Sequence, residues 1–354
     1  MYYNDLSYTS GHTFSNGDYY EGYYANGKLN GKGKYTWANG NVYEGDFIDD
    51  KRTGKGKYTW TNGDVYEGDF IDGARTGNGK YIWANGNVYV GDFVNGNLMG
   101  KGKLTWMNGD IYEGDFIDGQ RTGKCKYIWV NGNYYEGDIV DGKFTGKGRF
   151  TCANGESYEG NFIDGKLLGK GKYFWASGDI YEGDFVYGVR TGNGKYFFAN
   201  GDVYEGQFVN NQSAGTGKYI FANGDVYEGD FVDNARTGNG KYYFSNGNIY
   251  EGAFFNGNFM GKGKYTWTDG GVYEGDFVDG KRVKGKHVWA NGNIYEGEFT
   301  DDKRTGKGKY TWANGDVYEG EFVEGKITGQ GTMTKNGETQ TGYFEDGVLK
   351  EDTE

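Results

Sequence analysis

A length of 354 residues would ordinarily suggest about two globular domains, yet 69 glycines, 19% aromatic residues and no proline fit neither an average domain nor a disordered chain, which is poor in aromatics. The net charge of -12, from 50 acidic and 38 basic side chains, disfavours nucleic acid and anionic leaflets as partners of the whole molecule, so any basic surface has to be local. No run approaches the roughly 18 apolar residues that span a bilayer, the opening MYYNDLSYTS lacks the apolar core of a signal peptide, and with only two cysteines the expected location is reducing and cytoplasmic.

From Tyr20 the chain repeats with a period of about 23 residues, and a fixed period of that size sets the architecture. Residues 1–19 read as a partial opening unit: Phe14, Asn16 and Gly17, leading into Tyr20, match the second half of the repeat. The stretch 43–65, YEGDFIDDKRTGKGKYTWTNGDV, is representative. Units start at Tyr20, Tyr43, Tyr66, Tyr89, Tyr112, Tyr135, Tyr158, Tyr181, Tyr204, Tyr227, Tyr250, Tyr273, Tyr295 and Tyr318, an array of fourteen over 20–339. The step from Tyr273 to Tyr295 is one residue short, because KRVKGKHVW lacks a glycine of the usual TGKGK. Residues 340–354 read as a last partial unit and tail, with Gln340 where a tyrosine would stand. Both ends therefore read as caps, which a stacked array needs to stay soluble.

Within a unit the pattern has period two. Tyr43, Gly45 and Phe47 alternate with Glu44, Asp46 and Ile48, and Gly54, Gly56, Tyr58 and Trp60 alternate with Lys55, Lys57 and Thr59. The segment from Asp49 to Thr53 is the expected turn between the strands, and Asn62-Gly63 is a hairpin dipeptide before the next unit. Glycine density and the lack of an apolar i, i+4 stripe exclude helix. One face then carries glycines and aromatics, whose rings can lie over backbone that has no Cβ; the other carries acids opposite lysines, each such pair worth about 0.2–1 kcal/mol. The expected fold is all-β: an elongated, single-layer, twisted antiparallel meander of hairpins, solenoid-like, advancing about 10 Å per two-strand unit. A β-propeller would need blades of about 40–50 residues with four strands each, and alternate units here do not differ systematically.

The recurring YEGDF, DGK, GKGKYTW and NGD elements resemble the MORN (membrane occupation and recognition nexus) repeat, YxGxFxxGxxxGxGxxxxxxGxx, over about residues 7–349. The resemblance implies elongated single-layer β arrays that serve as scaffolds or peptide-binding platforms. Members built almost wholly of repeats include protist cytoskeletal scaffolds and radial-spoke components of motile cilia, so a cytoskeletal or ciliary location is implied. Other members attach a lipid kinase, a methyltransferase or a junctional membrane anchor, and no such segment is recognisable among these repeats.

Four features could carry chemistry. The GKGK runs lack the GxxxxGK[ST] order of a phosphate loop and lie mid-strand. The Glu44-Gly45-Asp46 pair recurs in almost every unit, whereas a catalytic pair is singular and sits in a pocket. Cys125 and Cys152 are too far apart in the repeat for a disulfide, and His12 and His287 too distant for an intrachain metal site. No enzyme activity, cofactor or metal is therefore expected.

The remaining candidates are surfaces. Lys51, Arg52 and Lys55, near the turns, form a candidate edge for acidic lipid headgroups or an acidic partner. The glycine and aromatic face forms a candidate groove for a partner helix or extended peptide, lined by Tyr43, Phe47, Tyr58, Trp60, Tyr66, Phe70, Tyr81, Trp83, Trp106, Trp129, Trp175, Trp267, Trp289 and Trp312. All nine tryptophans of the chain share one repeat position. The leading expectation is a non-catalytic scaffold for protein partners; the alternative is a peripheral membrane module reading acidic phospholipids through the turn-edge lysines. Copies could also join end to end through unpaired edge strands. Specificity is expected where units deviate, at Gln207 and Gln212 in the charge-poor unit 204–226, at His287 in the shortened unit 273–294, and at the caps.

Overall fold

Two turns per unit cut the chain into alternating strands of seven and nine residues, exemplified by Val42–Ile48 and Lys51–Thr59. The structure, a computed structural model, describes residues 6–350, so the extreme ends of both caps lie outside the described residues. It contains 31 strands, from Ser7–Thr13 to Val348–Leu349, and no helix among the described residues. The chain divides into two units, Met1–Ala176 and Ser177–Glu354. In each, successive strands pair antiparallel with their sequence neighbours as an open single-layer meander, for example Lys28–Thr36 with Val42–Ile48 in the first and Val226–Val232 with Ala235–Tyr243 in the second. The all-β meander expected from the period-two pattern is what forms.

The turns differ from the expectation. The link between the two strands of a unit is two residues long, Asp49-Asp50 or Asp72-Gly73, rather than running to Thr53. Both residues have positive φ, 48° at Asp72 and 82° at Gly73, the primed geometry whose twist matches that of the flanking strands. Asn62-Gly63 instead sits inside a longer loop, Trp60 to Asp64, closed by Trp60 N–H to Asp64 O at 3.0 Å and Gly63 N–H to Trp60 O at 3.0 Å. The asparagine locks this loop through its side chain, Oδ1 accepting Asp64 N–H at 3.0 Å.

Each nine-residue strand of this kind also carries a bulge. Gly45 faces Gly56 but Asp46 faces Thr53, leaving Gly54 and Lys55 without opposite residues in that hairpin, with Gly54 at φ 59°. Two extra residues preserve the in-out alternation, so Arg52, opposite Phe47, points to the aromatic face. The shortened unit loses the bulge glycine: Asp276 faces Lys284 and Phe277 faces Arg282.

Candidate interaction surface

The aromatic face resolves into two parallel columns. The inner one is the core. Tyr43, Tyr66, Tyr89 and most of their equivalents are fully buried, and Phe47 and Phe70 are 3% and 2% exposed. Tyr43 meets Phe47 at 5.1 Å and Phe70 of the next unit at 5.0 Å, both edge to face, a geometry worth about 0.5–1.5 kcal/mol beyond burial. These rings fit because the strands beneath are glycine: a Cβ on Gly56 would lie 2.4 Å from Tyr43 Cε2. The Tyr43 hydroxyl donates to Asp46 O at 3.1 Å, and burial pushes the equivalent Tyr66 phenol up to about 12.

The outer column is half-buried. It runs Tyr58 to Trp60 (4.4 Å), Trp60 to Tyr81 (5.4 Å) and Tyr81 to Trp83 (4.7 Å), with ring planes tilted 42° to 52°. Trp60, Trp83, Trp106, Trp129, Trp175, Trp267, Trp289 and Trp312 are all partly exposed. The single groove expected from sequence therefore splits. Tyr43, Phe47, Tyr66 and Phe70 are core and unreachable, Tyr58 is 8% exposed, and the tryptophans with Tyr81 form the accessible strip.

Between the columns lies a guanidinium. Arg52 Cζ stands 5.0 Å from the Tyr58 ring centroid and 5.6 Å from that of Trp37, a cation–π arrangement, and its Nη2 donates to Gly73 O at 2.7 Å. Arg75 repeats the arrangement with Gly96 O at 2.9 Å. The expected Lys51, Arg52 and Lys55 edge is therefore not one stripe. Arg52 belongs to the aromatic face, while the exposed Lys51 and Lys55 pair with Asp72 at 3.1 Å and Asp69 at 2.7 Å. The bulge removes Lys55 from its own hairpin, and its ion pair runs forward to the next unit, as do those of Lys51 and of Lys57, the latter to Glu67 at 2.9 Å.

Sequence reasoning also missed a staple at the loops. Asp64 Oδ2 accepts the Tyr81 hydroxyl at 2.7 Å and its Oδ1 the Ala84 N–H at 2.8 Å, tying one loop to the next. Burial raises the Asp64 carboxyl, but the Ala84 and Tyr81 donors outweigh it and hold it below the usual carboxylate range. Asp202 and Asp225 act alike, and asparagine substitutes at Asn41 and Asn293. The NGD or NGN ending of most units carried this signal. A row of exposed aliphatic residues beside the tight turns was missed as well, including Ile48, Ile71 and Val94 at 56%, 62% and 49% exposure.

Among the variant positions, Gln207 is exposed and Gln212 half-buried. His287 is 7% exposed, stacked between Trp267 at 4.8 Å and Trp289 at 4.1 Å. Its Nδ1 lies 3.1 Å from Arg282 Nη1; arginine only donates, so Nδ1 accepts. Burial, and then the neighbouring Arg282 charge, depress the imidazole to about 4. Here the staple is absent on both sides, since Gly271 stands where the Asp or Asn would be and His287 where the tyrosine would be. Cys125 is buried, its thiol pushed up to about 12 chiefly by desolvation, and Cys152 occupies a tryptophan position. Among the described residues no three His, Cys, Asp or Glu gather as metal ligands, and no helix is long and apolar enough to cross a membrane.

Near-identical two-faced hairpins, each adding a pair of strands and one Tyr–Trp step, define an open β-repeat protein. The family model for the MORN repeat matches fourteen consecutive segments from 20–42 to 318–339, and the chain belongs to the MORN-repeat family. Among solved structures it is similar to the TCP domain of SAS-4 of Drosophila melanogaster in complex with a proline-rich motif of Ana2, at 15% identity and a TM-score of 0.31, covering 50% of this chain and 90% of that one. The TCP10 domain of Danio rerio CPAP with a STIL peptide gives 11% identity and a TM-score of 0.25, covering 74% and 96%. Virginiamycin B lyase from Staphylococcus aureus gives 12% and 0.13, covering 85% and 89%. None of these likenesses bears on what the chain binds. The comparison with curated proteins returns no match.

Proposed function

We propose that this chain is a non-catalytic scaffold that holds protein partners, as helices or extended peptides, along the outer Tyr and Trp column, in a cytoskeletal or ciliary assembly of the kind its family supplies. The observation that carries the reading is that the tryptophans of that column stay partly exposed in unit after unit, while the inner column beneath is already complete as a core. Partly exposed tryptophans and tyrosines in a continuous strip are the side chains that dominate protein interfaces. Acidic-lipid binding through the turn-edge lysines has less support, because Lys51 and Lys55 already pair with Asp72 and Asp69. The test is affinity purification with the triple variant Trp60→Ala, Trp83→Ala, Trp106→Ala beside the wild-type chain. Loss of the wild-type partners from a variant that retains its β-sheet circular dichroism supports the reading, and an unchanged partner set defeats it. Flotation with phosphatidylserine vesicles tests the lipid alternative: salt-sensitive binding would establish it.

A further inference from the structure

The repeating arginine and the repeating staple acid form a pattern, and it fails at a few positions, Arg304 among them. Arg75, Arg190 and Arg236 each stack on a tyrosine whose hydroxyl donates to an aspartate: Tyr81 to Asp64, Tyr196 to Asp179 and Tyr242 to Asp225. The positive charge on the aromatic face is thereby accompanied by a nearby carboxylate. Arg304 stacks on Tyr310 at 4.8 Å, but the tyrosine's staple partner is the neutral Asn293, whose Nδ2 donates to the hydroxyl at 2.9 Å.

Beside Arg304 the sheet opens into a hollow of about 480 Å³ lined by Arg282, His287, Trp289, Asn293, Arg304 and Tyr310, among others. His287, which stands where most other units carry a tyrosine, forms part of its wall. The other charges around the hollow are satisfied. Arg282 Nε pairs with Asp302 Oδ1 at 2.8 Å, and Lys303 pairs with Glu324. Arg304 donates to Gly325 O and, like Arg75 and Arg236, makes no direct ion pair among the described residues; what differs at Arg304 is that the group on the hydroxyl of its tyrosine is the neutral Asn293 and not an aspartate. Arg52 shares the neutral staple partner, Asn41, but faces a hollow of only about 240 Å³.

We propose that the hollow at Arg304 is an anchor site for one carboxylate side chain, an Asp or Glu of a partner segment lying on the aromatic face. This rests on the partner-binding reading of that face and adds its charge specificity. One uncompensated guanidinium in a half-buried aromatic setting matches a monoanion and offers further N–H donors in a fork. A phosphate dianion would call for a second unpaired cation, and here Arg282 and Lys303 are already neutralised.

The test pans a display library of random dodecapeptides on the full chain, then compares selected peptides with versions in which Asp and Glu become Asn and Gln. Two variants interrogate the anchor. Arg304→Gln removes the cation; Asn293→Asp supplies the internal carboxylate that Asp64 and Asp225 provide elsewhere, so the fold accommodates it. Selected peptides carry an acid whose neutralisation weakens binding about tenfold or more, and both variants weaken the acidic peptide about tenfold while leaving its neutral version unchanged. Peptides that require Trp289 but bind Asn293→Asp as well as wild type overturn the anchor and leave the groove standing. Peptides indifferent to Trp289→Ala, or no selected peptides at all, defeat both. A phosphoserine peptide binding more than tenfold tighter than its Glu counterpart overturns the carboxylate assignment.

Discussion

Gly56 shows how sharply single residues are specified. A Cβ there would meet Tyr43 Cε2 at 2.4 Å, with the Tyr43 hydroxyl equally close, and the ring cannot retreat because Phe47 and Phe70 flank it. Gly56→Ala is expected to cost at least about 1–3 kcal/mol, as overpacking does, read from denaturant midpoints at unchanged slope. The staple acids give a pH dependence. The Ala199 N–H bond, with Ser177 and Tyr196 adding to it and burial opposing it, holds the Asp179 carboxyl below its usual value. A depressed carboxylate stabilises above its unfolded pKa, near 3.9, and that contribution is lost as pH falls through the lower folded value. Asp179→Asn should therefore flatten the stability loss below pH 4. His287 acts in another window. Its folded value of about 4 lies below the unbound 6.5, so the unfolded chain takes up the proton first and stability declines as pH falls from 6.5 to about 4. His287→Tyr should remove that decline in thermal unfolding scans.

At the level of elements, the hairpin was largely legible and its connections were not. Strict alternation around Gly45 and Phe47 gave the strands and the two faces, because a one-layer sheet must segregate apolar from charged side chains. Reading Asp49 to Thr53 as one turn hid the fact that Lys51 already begins a strand, and so placed Arg52 with the lysines. The bulge at Gly54 was not legible, since nothing in TGKGK says which glycine leaves the ladder. The staple was legible in retrospect, because the Asp or Asn of NGD and NGN lies 17 residues before its tyrosine. Its paired absence at Gly271 and His287 makes a further prediction. Gly271→Asp and His287→Tyr together should stabilise by about 1–2 kcal/mol more than the sum of the single variants; additivity in a double-mutant cycle would show that no staple forms there.

For the molecule as a whole, the described strand pairings join sequence neighbours, so stability should be a sum of unit and nearest-neighbour contributions rather than one cooperative core. Single-tryptophan versions retaining Trp60 or Trp312, one in each of the two units, are expected to report different denaturant midpoints; coincident transitions would contradict this. The family and the sheet derive from the repeat itself, whereas the partner surface depends on which rings remain exposed once the inner column is built. Hydroxyl-radical footprinting of the chain with its affinity-purified partner examines that surface directly. Protection of Trp60, Trp83 and Trp106, with the ion-paired face around Lys55 and Lys57 unchanged, is the predicted result; protection confined to the lysine face, with the tryptophans oxidised as in the free chain, would contradict it.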